Sequence, residues 1–242
     1  MQIIQLIGRN RVGKTTLSRA LAKFMTEHLN LNVVELSFAD ALRHELISLY
    51  GIPKDLVMNK MIDKNTYMLR LGDYSYDKRL EQLWIDFKFI KDANEYPDLR
   101  ISLRELLMTH ATRIRRVQDK NYWANLTKSK IADMLIDGVE FVVIDDARYA
   151  NELDFSEDLQ TVFYLENYAN MDYTDIAQES IVEWHSKNAS KTIGIRTPVP
   201  LTEFESQLIV INELVPMIRI PDLYLNQTET PYHEESNINT ST

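Results

Sequence analysis

Apolar positions along the chain change rhythm repeatedly, and each rhythm predicts an element. The opening run Ile3, Ile4, Leu6 and Ile7 stops at Gly8 and predicts a strand over 2–7. Leu17, Leu21, Phe24 and Met25 then recur at helical spacing and predict a helix over 14–29. VVELS at 33–37 predicts a second strand, and a helix over 40–50 ends at Gly51 with Pro53 beyond it. A short helix is expected over 53–61. Residues 63–100 break the rhythm and read as an insertion, with a helical patch near 78–91 carried by Leu80, Leu83, Trp84 and Phe87. Periodicity resumes in a helix over 102–117, with Leu103, Leu106, Leu107, His110, Ile114 and Val117 on one side. Another helix is predicted over 121–136 and ends before Gly138. EFVVID at 140–145 has the continuous apolar character of a buried parallel strand. Further strands are predicted at 161–165 and at LIVI 208–211, with a helix between them over 172–188.

Strands alternating with helices imply an α/β fold: three layers, a mainly parallel central sheet flanked by helices, and here a helical insertion. The chain reads as one domain over 1–221 followed by a polar tail, 222–242, of the composition expected of disorder. The segments 63–100 and 167–197 are the candidates for a mobile lid. In such sheets ligands bind outside the carboxyl ends of the strands.

Composition narrows the function classes. With 45% hydrophobic and 26% charged residues, the chain is ordinary for a globular protein of 242 residues. It has no cysteine, which excludes disulfides and thiolate zinc sites and fits a cytoplasmic setting. MQIIQLIG is too short for a secretory signal and carries its basic residues on the wrong side. No apolar stretch approaches the roughly 20 residues that span a bilayer, so no membrane partner is expected. A net charge of −9 argues against a nucleic-acid polymer, whose phosphates call for a basic face. A small anionic ligand needs only a few well-placed cations.

Those cations come in two groups. Gly8-Arg9-Asn10-Arg11-Val12-Gly13-Lys14-Thr15 fits G-x-x-x-x-G-K-[ST] without a mismatch, between a predicted strand and a predicted helix. The two glycines let the backbone curl so that successive amides face one anion, and the helix adds its positive end. Lys14 would reach the outer phosphates of a nucleotide, and the Thr15 hydroxyl would hold Mg²⁺, with Thr16 next in line. The second group lies downstream. Asp145 and Asp146 end a buried strand; Arg148 offers a planar fork suited to phosphate, and Glu152 could orient it. The helix over 102–117 carries Arg104, Arg113, Arg115 and Arg116. At about 100° per residue, Arg104 and Arg115 fall on nearly the same face and could clamp a monophosphate. Tyr122 and Trp123 suit either an aromatic wall for a base or the core. Phe38, Asp40 and Arg43 sit where an acceptor pocket would open, although Asp40 also suits capping a helix.

These residues resemble a family. GRNRVGKTT at 8–16, FADALR at 38–43, LRELLMTHATRIRR through NYW at 103–123, and VVIDDARYANE at 142–152 are similar to deoxynucleoside monophosphate kinases of the phage type, within the P-loop nucleotide kinases. The resemblance covers about the first 155 residues, in the family's order. It implies a P-loop kinase fold, Mg²⁺-dependent phosphoryl transfer from ATP to a deoxynucleoside monophosphate, and an acceptor site lined by Arg104, Trp123, Asp146 and Arg148 with Glu152 in support. It leaves open whether Arg115 or Arg116 takes the later arginine position; Arg116 is carried as the candidate. For a phage-encoded enzyme the setting would be the host cytoplasm. The chain departs from the family at Ala111-Thr112-Arg113, where a Gly-Thr-Asp step is usual, and at Glu166-Asn167, where a basic residue is expected. Lys187, Lys191 and Arg196 are the cations available to a lid. A kinase for another small metabolite and a non-catalytic nucleotide-binding protein are the alternatives. Tyr74, Tyr76, Trp84, Phe87 and Phe89 would either pack on their own domain or form a homodimer surface.

Overall fold

A computed structural model describes residues 1–9, 12–59, 62–74, 82, 84–86, 91, 95, 97–167, 176–198 and 201–220. The predicted tail at 222–242 and much of the helical patch near 78–91 lie outside the described residues.

Five parallel strands form the central sheet. They are β1 (Gln2–Gly8), β2 (Val33–Leu36), β5 (Phe141–Ile144), β6 (Gln160–Asn167) and β7 (Ile193–Thr197), in the order β2-β5-β1-β6-β7. A two-stranded antiparallel sheet, β3 (Met68–Arg70) with β4 (Arg100–Ser102), stands apart within the insertion. The α/β class and the parallel sheet flanked by helices agree with the hydrophobic pattern. One strand does not. LIVI 208–211 is helical, split between a helix Glu203–Ile209 and a π segment Val210–Leu214, and the last strand is Ile193–Thr197. Ile209 and Val210 are buried against the sheet while Leu208 and Ile211 are exposed, a helical division that a run of four apolar residues does not reveal.

β1 shows how the sheet takes helices on both faces. Ile4 and Leu6 point to one side, where they pack with Leu17, Leu21 and Met25 of α1 (Lys14–Leu29). Ile3 and Ile7 point to the other, with Val142 and Ile144 of β5. Alternate residues of a strand face opposite sides, so a strand covered on both faces reads as a continuous apolar run. Leu17, Leu21 and Met25 are wholly buried, and each contributes about 1.5–3 kcal/mol relative to exposure. Asn30 ends α1 in the left-handed conformation at φ 52°, its amide donating to the Met25 carbonyl.

The helices beyond the sheet build the walls of the site. α2 (Phe38–Tyr50) starts at Ser37, whose hydroxyl accepts from the Ala39 amide, and ends at Gly51 with φ 65°. α3 (Lys54–Met58) leads into the insertion. α4 (Leu103–Met108) continues without a break into a π segment, Thr109–Arg115, and a last turn, Arg116–Gln118. α5 (Tyr122–Ile136) follows, then α6 (Ile176–Lys187) and α7 (Glu203–Ile209). The insertion shares an apolar cluster with α2, α4 and the π segment, in which Leu46, Tyr50, Leu69, Trp84, Leu106 and Ile114 are buried together. Trp84 therefore packs on its own chain, and its indole N–H donates to the Tyr50 hydroxyl at 3.1 Å. Among the described residues no helix is long and apolar enough to cross a membrane.

Candidate active site

β1 and β5 are neighbours in the sheet, and their carboxyl ends carry the two groups of polar residues singled out in the sequence. At the end of β1 the chain turns through Gly8 (φ 140°) and Gly13 (φ 87°) before α1 begins. Gly8 has no room for a side chain, and at Gly13 one would have to displace the end of Leu201. A Cβ on Gly8 would lie 2.4 Å from the Leu165 carbonyl oxygen, and one on Gly13 would lie 2.8 Å from Leu201 Cδ2. The loop is also tied from outside. The Thr197 hydroxyl, buried at the end of β7, is 2.9 Å from the Val12 carbonyl and 3.2 Å from that of Glu166. Asn10 and Arg11 lie outside the described residues.

Lys14 turns back over this loop. Its ammonium donates to the carbonyls of Gly8 at 3.0 Å and Arg9 at 2.6 Å. Burial lowers its pKa to about 8, with Arg148 acting in the same direction and Asp145 and Asp146 opposing. Desolvation of the ammonium outweighs the attraction of the two aspartates, and an anion entering the loop would favour the charged form further. Gly8, Gly13, Lys14, Thr15 and Thr16 line a cavity of about 310 Å³, completed by Asp145, Asp146, Ala147, Arg148 and Ile181.

A second cavity, of about 250 Å³, opens between α2, α4 and the segment after β5. Phe38, Leu42, Leu107 and Trp123 give it apolar walls; Arg43, Lys64, Arg104, Arg116 and Arg148 give it cations. Asp146 and Arg148 border both cavities. Asp146 also anchors the wall between them. One of its oxygens accepts from the Phe38 amide at 2.8 Å, and the other from the Ala39 amide at 2.9 Å and from the Ser37 hydroxyl. Burial raises its pKa, these three donors lower it and Asp145 raises it again, leaving a net rise. The carboxylate thus holds the positive end of α2 against the end of β5.

Glu152 plays the corresponding part on the far wall. It is 2% exposed, pairs with Arg116, and accepts from the amides of Arg148 at 2.6 Å and Tyr149 at 3.1 Å. Burial raises its pKa and the Arg116 charge opposes that rise. It therefore orients the backbone at Arg148 and the guanidinium of Arg116, rather than the Arg148 side chain. The Arg116 guanidinium lies 3.8 Å from the centroid of the Tyr149 ring, a cation–π contact that further fixes it.

The structure brings together Phe38, Arg43, Arg104, Arg116, Trp123, Asp146, Arg148 and Glu152 around one cavity. Asp40 lines neither cavity; its carboxylate is 2.6 Å from Arg43 within the first turn of α2. Trp123 serves as both wall and core, since it is 2% exposed and its indole N–H donates to the Ala111 carbonyl at 3.2 Å. Arg115 does not share the face of Arg104. The π segment inserts a residue into the helix, Arg116 takes the place facing the cavity, and Arg115 turns to Glu45 at 2.5 Å. Lys187 and Lys191 line neither cavity; they pair with Glu183 at 2.6 Å and Glu157 at 2.5 Å.

Asp145, named in the sequence with Asp146 but given no role of its own, lines the cavity with Lys14 and Thr15. Two participants escape sequence reading. Lys64 enters from the insertion, its carbonyl accepting from the Arg104 amide at 2.9 Å, and no periodicity marks it. Thr197 sits on a strand that the hydrophobic pattern does not show.

No family model matches the chain, and no curated protein is significantly similar to it.

Proposed function

We propose that the chain is a phosphotransferase of the P-loop nucleotide kinase class. More particularly, it transfers the γ-phosphoryl group of ATP to deoxynucleoside monophosphates and releases the diphosphates. The observation that carries this reading is the shared wall. A glycine loop with a desolvated lysine faces one cavity, an apolar and cationic pocket faces the other, and Asp146 and Arg148 border both. Two ligands held on either side of such a wall would meet at Arg148. The choice of a deoxynucleotide over another phosphorylated acceptor rests on the sequence resemblance.

In this mechanism Lys14 and the loop amides bind the β- and γ-phosphates of the donor, with the loop carbonyls now on Lys14 giving way to phosphate oxygens. Arg104 and Arg116 hold the acceptor phosphate, and Arg148 spans the gap where charge accumulates in the transition state. The apolar walls at Phe38, Leu42 and Trp123 take the nucleoside and exclude water. The acceptor phosphate is already ionised at neutral pH, so no protein base is needed; positioning in line accounts for most of the acceleration. The Thr15 hydroxyl and Asp145 are hard oxygen donors on the phosphate cavity, a set that suits Mg²⁺ when phosphates and water complete its shell. Held there, the ion would supply charge neutralisation for the donor phosphates. A cytoplasmic site of action goes with this proposal.

The experiment is an ATP-dependent assay with the four deoxynucleoside monophosphates and their ribo counterparts, with and without Mg²⁺. Mg²⁺-dependent diphosphate formation that Lys14→Ala and Arg148→Ala both abolish is the expected result. Lys14→Ala should weaken ATP binding measurably, while Arg148→Ala should leave it unchanged. Intact ATP binding with no turnover of any acceptor would refute the proposal.

A further inference from the structure

The π segment Thr109–Arg115 departs from α-helical register, and one carboxylate touches both of its ends. Glu45, on α2, accepts from His110 Nε2 at 2.9 Å and from Arg115 Nε at 2.5 Å, both at the same oxygen. Its other oxygen accepts from the Tyr122 hydroxyl at 2.8 Å. The spacing of the two donors matters. Residues five apart on an α-helix point about 140° away from each other, so one oxygen on a neighbouring helix does not reach both. In a π turn hydrogen bonds run from i to i+5, and residues five apart come much nearer to a shared face. Accepting from His110 and Arg115 together is therefore a contact that the π register permits and the α register does not.

The rest of the surroundings supports the same register. His110 is fully buried, and its Nδ1 is 3.1 Å from the Tyr50 hydroxyl, which also accepts from Trp84 in the insertion. The Ala111 carbonyl accepts from the Arg116 amide, an i to i+5 bond, and from the Trp123 indole. Burial pushes the Glu45 carboxyl up, but the hydrogen bonds from His110 and Tyr122, the His110 charge and the Arg115 bond outweigh it and hold the group below its ordinary value.

The register decides which arginine faces the second cavity. With one residue inserted, Arg116 lines the pocket with Arg104, while Arg115 is held outside it. We propose that Glu45 is a positioning residue: by gripping both ends of the π segment, it sets the register that delivers Arg116 to the acceptor site. The inference rests on reading this cavity as the acceptor site.

Steady-state kinetics of Glu45→Gln, Glu45→Ala, Arg116→Ala and the double variant Glu45→Ala/Arg116→Ala test it. Glu45→Ala should raise the acceptor KM about tenfold, the size of a coupling within one hydrogen-bonded network, and change the ATP KM less than about twofold. With Arg116 already removed, the same substitution should add less than about twofold. Glu45→Gln keeps an amide oxygen as acceptor and should recover most of the loss. An equal effect on both substrates, or effects of Glu45→Ala and Arg116→Ala that simply multiply, would overturn the proposal. Hydrogen exchange of the ligand-free protein separates this from the fate of the kinase reading. In Glu45→Ala, amides of 109–116 should exchange about tenfold faster while those of α1 stay unchanged. Unchanged exchange at 109–116 would overturn the register role, whether or not the wild-type protein turns over a nucleotide.

Discussion

Lys14 gives the sharpest test of the phosphate loop because its charge state is set by its surroundings. Burial brings its pKa from 10.5 down to about 8, and among the described residues its ammonium donates to the Gly8 and Arg9 carbonyls, with Asp145 and Asp146 favouring its charge. A bound polyphosphate favours the charged form, so binding above that pKa must take up a proton. Between about pH 7 and about pH 9 the protonated fraction falls from roughly 0.9 to roughly 0.1, which weakens binding about tenfold, or about 1.4 kcal/mol. Titration calorimetry with ATP across this range, in two buffers of different ionisation enthalpy, reads both the affinity and the proton uptake. Lys14→Met supplies the control, because it removes the lysine and leaves the nucleotide's own titration in place. The sign for folding runs the other way. Between about pH 8 and 10.5 the unfolded chain holds a proton that the folded chain has released, so the ligand-free protein gains stability as pH rises. Affinity that is flat over this range, or that changes equally in Lys14→Met, would refute the reasoning.

Other parts of the site yield narrower expectations. Glu152→Ala leaves the Arg116 charge nearly buried without its partner, and urea denaturation should show a loss of about 3 kcal/mol. Gly8→Ala places a Cβ 2.4 Å from a backbone oxygen at φ 140°, so it should destabilise the fold by at least about 3 kcal/mol and remove ATP binding; a folded, ATP-binding variant would show that the loop can relax. Thr197→Val removes the hydroxyl tying Val12 to β7 and should weaken ATP binding by about 1 kcal/mol with little change in the acceptor KM.

The sheet and the phosphate loop were legible because both are encoded locally. A run such as FVVI at 141–144 has no polar face to present, and its β-branched residues favour a strand covered on both sides. The glycine loop is legible for a related reason. Gly8 and Gly13 adopt backbone conformations that side chains disfavour, so the residue types themselves report the geometry. β7 was missed because Gly194 and Arg196 break the apolar run, and the strand owes its place to pairing with β6. LIVI 208–211 failed in the opposite direction, since four apolar residues satisfy a strand and a helix equally well.

The acceptor side shows where local reading ends. Assigning 100° to each residue put Val117 in the core and Arg115 beside Arg104. In the structure Val117 is 67% exposed and Arg116 is the arginine at the cavity. Both errors are the same single-residue slip, introduced between Thr109 and Arg115. Nothing within that segment announces a π turn. The groups that grip it come from elsewhere: Glu45 lies 65 residues from His110 and 70 from Arg115 along the chain. A departure from helical period is therefore written in the partner, not in the segment. The phase of a cation-bearing helix follows only once those distant acceptors are placed, which makes the identity of the acceptor-facing arginine a tertiary property of this protein.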